Sequence, residues 1–221
     1  MTQLTDGRPI FPNLLSLVHH IDGPEWMSEE PDMERWTPLL PLLVGPGLGE
    51  LTLRFDNATG HVVGHNIQTL ARIAPAIQTV VIENFTYAHS PHYCAFSQMR
   101  SLTVCGCFDH QTWRCLASCS RLESILLQDP DIDHLETQNY SVTFPYMKTL
   151  VIDYTVDWRD PEFVQSSLRC TTMPVLEGLE VTFPESDITV AEAIQSEVQE
   201  FMHRSPLLKE ALVNGRVIRN E

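Results

Sequence analysis

One short phrase recurs eight times along the chain, so any fold it adopts must place the same apolar positions again and again. The phrase has the form Pro/Ser-x-aliphatic-x-x-aliphatic-x-aliphatic. It reads PNLLSLVH from Pro12, PGLGELTL from Pro46, PAIQTVVI from Pro75, SQMRSLTV from Ser97, SRLESILL from Ser120, PYMKTLVI from Pro145, PVLEGLEV from Pro174 and PLLKEALV from Pro206. The first aliphatic position is Leu14, Leu48, Ile77, Met99, Leu122, Met147, Leu176 and Leu208, with successive spacings of 34, 29, 22, 23, 25, 29 and 32 residues.

The two inner aliphatics of a phrase stand two residues apart, as in Leu51 and Leu53, Leu102 and Val104, or Leu150 and Ile152. That is strand spacing, with both side chains on one face. Between the phrases lie stretches of helical character at Trp36–Leu43, Asn66–Ala74, His110–Ser118, Asp160–Cys170 and Asp187–His203. In the last of these Ile188, Ala191, Ile194, Val198 and Phe201 recur every three to four residues. A strand, a turn and a returning helix per unit, at these periods, predicts a leucine-rich-repeat solenoid. The expected α/β architecture is a single domain over residues 1–221, with a curved parallel sheet, helices on its convex side and about eight irregular repeats. A doubly wound α/β sheet is the alternative. Its strands would be near-continuous Val/Ile runs buried on both faces, whereas the residues between these inner aliphatics are often polar.

Composition bounds the function. With 14 Lys and Arg against 29 Asp and Glu the net charge is -15, which disfavours nucleic acid and anionic membrane surfaces as partners. No apolar run reaches the roughly 18 residues of a membrane span, and Met1 to Gly7 lacks a signal-peptide layout. A cytoplasmic or nuclear location is expected. The acidic excess concentrates in residues 126–221, which hold a net -10, and in the acidic loop of residues 22–34, where Trp26 and Met27 sit among carboxylates.

Phe11-Pro12-Asn13-Leu14, Phe144-Pro145-Tyr146-Met147 and Met173-Pro174-Val175-Leu176, each followed by the rest of the phrase, resemble the irregular leucine-rich repeats of fungal F-box proteins. The resemblance covers residues 11–214. It implies the substrate-recognition part of a ubiquitin-ligase adaptor, whose F-box would engage a Skp1-type subunit of a cullin-based ligase. The chain departs from that pattern in two respects. Its first phrase begins at Pro12, leaving no room for an F-box, and it lacks the asparagine ladder of regular repeats. A Skp1-type partner is therefore expected only of a longer form, and a freestanding repeat scaffold unrelated to ubiquitin is the alternative.

The residues flanking the inner aliphatics would line the concave face in three lanes. The first is Ser16, Glu50, Thr79, Ser101, Ser124, Thr149, Gly178 and Glu210. The second is Val18, Thr52, Val81, Thr103, Leu126, Val151, Glu180 and Leu212, and the third His20, Arg54, Glu83, Cys105, Gln128, Asp153, Thr182 and Asn214. A half-apolar trough with polar margins suits a polypeptide ligand. The expected protein-binding residues are Thr52, Arg54, Val81, Glu83, Thr103, Cys105, Leu126, Gln128, Val151, Asp153 and Glu180.

Catalytic and metal signatures are weak. Cys105, Cys107, His110, Cys115 and Cys119 are close in sequence, but one, seven and three residues separate successive cysteines, unlike the usual paired spacing of structural zinc. Such cysteines more often fill a core. His61 and His65 flank glycines without the intervening Glu of a metalloprotease, and His89, His92 and Cys94 read as loop residues. Asp129, Asp131 and Asp133 alternate as in a calcium loop, but the Gly and Glu of an EF-hand are absent. Neither a nucleophile elbow nor a phosphate-binding loop occurs. The chain is therefore expected to be no enzyme and to need no cofactor or metal, with a zinc or enzymatic role for the Cys105 to Cys119 segment as the remote alternative.

Overall fold

The computed structural model describes residues 9–22, 44–56, 68, 70–85, 95–106, 110–130, 141–154, 162–184 and 188–220. Each phrase makes the same two moves, a tight turn and then a strand. The turn centres on the Pro or Ser and the residue after it, and in seven of the eight phrases the first aliphatic residue donates its N–H to the carbonyl three residues back. These bonds run Leu14 to Phe11, Leu48 to Gly45, Ile77 to Ala74, Met99 to Phe96, Leu122 to Cys119, Leu176 to Met173 and Leu208 to Ser205, at 3.0–3.4 Å. Proline suits the second position of such a turn because its fixed φ matches and its missing N–H is not needed there.

The strands are β1 (Ser16–Asp22), β2 (Glu50–Asp56), β3 (Thr79–Phe85), β4 (Ser101–Gly106), β5 (Ser124–Gln128), β6 (Val142–Thr143), β7 (Thr149–Asp153), β8 (Thr171–Thr172), β9 (Gly178–Thr182), β10 (Glu210–Val213) and β11 (Arg216–Arg219). Among the described residues nine of them form one sheet in the order β1-β2-β3-β4-β5-β7-β9-β10-β11. Every step is parallel except the last, β10 to β11. The order follows the chain without the reversal at which a doubly wound sheet changes direction. Helices α1 (His110–Leu116), α2 (Glu162–Arg169) and α3 (Ile188–Arg204) lie in the connections. The expected helix over 66–74 appears as helical backbone at 68 and 70–73, and the one over Trp36–Leu43 falls outside the described residues.

Alternation within the strands separates two faces. On one, Leu51, Leu53, Val80, Ile82, Leu102, Val104, Ile125, Leu127, Leu150 and Ile152 are buried, while their neighbours along each strand reach solvent. Two further buried layers lie beneath. The first aliphatic positions from Leu48 to Leu208 are buried, and so are the residues just before the Pro or Ser, including Ala74, Phe96, Cys119, Phe144, Met173 and Ser205. The second layer is not marked by the phrase itself, which begins one residue later. Gly45 occupies this position in the second phrase, where a Cβ would stand 2.7 Å from the Pro12 carbonyl oxygen. The adjoining turns approach too closely there for any side chain.

The helix layer is held by polar contacts of its own. Trp113 of α1 is fully buried, tilts at 59° against Phe144 and donates its indole N–H to Thr171 Oγ1 of β8 at 2.9 Å. Among the described residues, strands β6 and β8 pair only with each other, as a separate two-stranded ladder. Glu197 of α3 is buried and takes Arg169 of α2 at 2.8 Å and Arg204 at 3.7 Å. Arg204 also donates to the carbonyls of Arg169 and Leu168, which end α2 without intrahelical partners.

Two expectations are corrected. The sheet is open and not curled, where a curved one was expected. Curvature needs an outer layer wider than the roughly 4.8 Å strand spacing, as helices packed about 8–10 Å apart provide. Here the described connections before β9 carry at most a helix of 7 or 8 residues. The second correction concerns Asn214, expected in the third lane of the sheet face. It instead starts a hairpin turn, with φ of 49° at Asn214 and 70° at Gly215, and leads into β11, which the phrase does not contain. Asn-Gly is the pair that this kind of turn requires. No helix among the described residues is long and apolar enough to cross a membrane.

In β1 the inward position opposite Leu53 is His19, whose pKa is pushed down by burial and by the neighbouring His20. Protonation therefore favours the unfolded chain. The stabilising effect of neutral His19 is complete above the unfolded value near 6.5 and is lost as pH falls below it towards the lower folded value. Between pH 7.5 and 5 the wild-type thermal midpoint should fall more than that of His19→Leu, and parallel declines would refute this. Trp113→Phe, which removes the indole donor, should cost about 1–3 kcal/mol in urea unfolding. A loss below about 0.5 kcal/mol would show that the Thr171 bond contributes little.

Candidate functional site

The sheet face turned away from the core is the surface on which the expected binding residues gather. Register decides whether they form lanes, and the pairing is residue for residue. Ser16, Glu50, Thr79, Ser101, Ser124, Thr149 and Gly178 are successive partners across β1 to β9. Val18, Thr52, Val81, Thr103, Leu126, Val151, Glu180 and Leu212 follow in the same way across eight strands. Strand partners sit about 4.8 Å apart, so the second lane is a continuous row of mainly aliphatic and β-branched side chains. All are half-buried apart from Val18, which is 52% exposed.

The third lane is interrupted. His20, Arg54 and Glu83 are successive partners, and Cys105, Gln128, Asp153 and Thr182 are likewise. Between the two runs the register of β3 against β4 shifts after Ile82, so Glu83 and Cys105 are not paired as one lane requires. Phe85 instead meets Gly106, whose φ of 113° is open to glycine alone. Nothing in the repeated phrase marks this shift, because it falls beyond the last inner aliphatic.

Charges on the face are partly matched. Arg54 Nε and a Glu83 carboxylate oxygen form an ion pair between adjacent strands. At the other edge β11 adds Arg219, opposite Glu210, and Val217, opposite Leu212, so the face extends one strand beyond the phrases. The Asn-Gly pair was the available signal for that extension. Asp153 carries a carboxyl pushed above the usual range, first by burial and then by the charge of Asp129. Asp129 stands just past β5 with φ of 44°, and its N–H is donated to the Asp153 carbonyl at 2.7 Å.

A second charged row borders the face where the chain enters β4, β5 and β7. Glu123 lies between Lys148 at 2.8 Å and Arg100, and its carboxyl is held below the usual range, chiefly by the Lys148 hydrogen bond. These residues precede the strands by one position, so their meeting depends on inter-strand register and could not be read from local spacing.

The remaining candidates do not assemble into a centre. Cys105 stands on the solvent face at the end of β4, Cys115 lies in α1, and Cys119 is a buried core residue beyond the helix, where its N–H reaches the Leu116 carbonyl at 2.9 Å. No group of three or more His, Cys, Asp or Glu able to hold a metal occurs among the described residues. Cys107, His61, His65, His89, His92, Cys94, Asp131, Asp133 and the acidic loop beyond Asp22 lie outside those residues.

The Asp153 environment gives a signed expectation. Its ionisation opposes folding, so the favourable contribution is present below the unfolded value of about 3.8 and is lost as pH rises through the higher folded value. Asp153→Asn should therefore raise the thermal midpoint at pH 7 and leave it unchanged near pH 3. An equal change at both pH values, or none at pH 7, would refute the assignment. Compared with protein-family models, curated proteins and solved structures, the chain matches none, so no relative supplies a function for this face.

Proposed function

We propose that the chain is a leucine-rich-repeat-type stack acting as a non-catalytic protein-interaction module, with polypeptide bound along the exposed face of its sheet. The observation that carries this reading is the second lane. It runs in register across eight parallel strands, largely aliphatic or β-branched, and is bordered by the hydroxyl row of Thr79, Ser101, Ser124 and Thr149. Apolar contact with polar margins is the surface that an extended segment can cover while its own polar groups find partners. The repeat reading is supported by the eight copies of one turn-and-strand unit and by pairing in chain order. The narrower form, supported by the Phe-Pro and Met-Pro phrases that resemble fungal F-box proteins, is the substrate-recognition part of a ubiquitin-ligase adaptor. A Skp1-type subunit would then be engaged by an F-box in a longer form.

The test removes the aliphatic lane without changing charge. Peptides selected from a randomised display library on the wild-type chain should lose about tenfold or more in affinity for the double variant Val81→Gln, Leu126→Gln, since each buried aliphatic contributes roughly 1.5–3 kcal/mol. Both side chains lie on the solvent side, so the circular dichroism spectrum should be retained. Undiminished binding, or no selectable peptide, would overturn the reading.

A further inference from the structure

The exposed face is electrically uneven. Towards β2 it is balanced, because Arg54 is engaged by Glu83, and at the far edge Glu210 has Arg219 opposite. Between these pairs Glu180 of β9 and Asp153 of β7 have no side-chain hydrogen bond or ion pair among the described residues, and Asp129 adds a third carboxylate beside Asp153.

Glu180 also breaks the aliphatic lane. Its strand partners are Val151 on one side and Leu212 on the other, with Val217 beyond and 51% exposed. Two residues earlier on the same strand and face stands Gly178, the one first-lane position without a side chain. A Cβ there would meet nothing nearer than the Thr149 Cγ2 at 3.8 Å. A gap is thus left beside Glu180, floored by the Gly178 backbone and edged by the Thr149 methyl and, one lane on, by Val151 and Leu212, with the Glu180 and Asp153 carboxylates at one end. A long aliphatic stem ending in a cation fits that combination, because the stem lies on the apolar walls while the head meets the acids. An anionic head would meet Glu180, Asp153 and Asp129 together.

We propose that the exposed face selects a polypeptide segment bearing a lysine or arginine, whose stem crosses Gly178 beside the Thr149 methyl and whose cation meets Asp153 and Glu180, the latter standing between Val151 and Leu212. The proposal deepens the reading of this face as a peptide-binding surface and rests on it. The raised pKa of Asp153 is in keeping with this, since a bound cation would offset both the burial and the Asp129 charge that raise it.

The same display selection tests it, with the enriched peptides measured against wild type, Glu180→Gln, Glu50→Gln and the double variant Val81→Gln, Leu126→Gln. The enriched peptides should share a Lys or Arg. Replacing that residue by norleucine, or Glu180 by Gln, should each weaken binding about tenfold or more, and the two changes together should cost little more than one. Glu50→Gln, which removes an acid elsewhere on the same face, should leave affinity unchanged. Peptides that need Val81 and Leu126 but carry no basic residue, or that bind Glu180→Gln undiminished, would overturn this inference and leave the peptide-binding reading standing. Equal weakening by Glu50→Gln would reduce the effect to net charge and overturn it as well. Peptides indifferent to the double variant would overturn both.

Discussion

One backbone contact, repeated at each step from β1 to β9, holds the stack in register. The carbonyl that precedes each strand accepts two N–H groups from the next unit. Leu15 takes Gly49 and Glu50, Gly49 takes Gln78 and Thr79, Gln78 takes Arg100 and Ser101, Arg100 takes Glu123 and Ser124, Glu123 takes Lys148 and Thr149, and Lys148 takes Glu177 and Gly178. These bonds sit where the turn hands over to the strand, so they fix the offset before the ladder begins. A slip of one residue would send Leu102 and Val104 to solvent and Ser101 and Thr103 to the core. Every lane, apolar or charged, follows from this contact.

Beneath the register, side-chain chemistry takes over. Each turn directs the residue before its Pro or Ser inward, which explains why Phe96, Cys119, Phe144 and Met173 are buried although they differ widely in size. The units therefore need not be equal in volume, and the irregular spacing of the phrases is absorbed in the connections. Where the connections thicken, polar groups bind them. Glu197 is an internal carboxylate with two guanidinium neighbours, and Arg204 serves both this acid and the free carbonyls at the end of α2.

Much of this was legible in the sequence. The pairs Leu51 and Leu53 or Leu150 and Ile152 announce strands because alternation is a local property, and the positions of Ile194, Val198 and Phe201 announce α3 for the same reason. Features set by relations between units were not legible. The fork of Arg100, Glu123 and Lys148 spans residues 23 and 25 apart, and the shift beyond Ile82 depends on how two strands leave the sheet. The two-residue strands β6 and β8 carry no periodicity at all. The candidate face lies between these extremes. Its residues follow from the phrase, whereas its matched and unmatched charges emerge only from the pairing.

The hairpin at Asn214 and Gly215 also reverses the chain. Asn214 ties the turn back to β9, donating its N–H to Val181 and accepting the Phe183 N–H, and Asn220 reaches the Met202 carbonyl of α3. The strand after it runs against all its predecessors and begins and ends with arginine. A strand running in the direction of the repeats would meet this edge antiparallel and beside its arginines. β11 thus turns the parallel edge of the sheet into one of opposite polarity, so that a strand added there in the direction of the repeats would form an antiparallel ladder and not another parallel step.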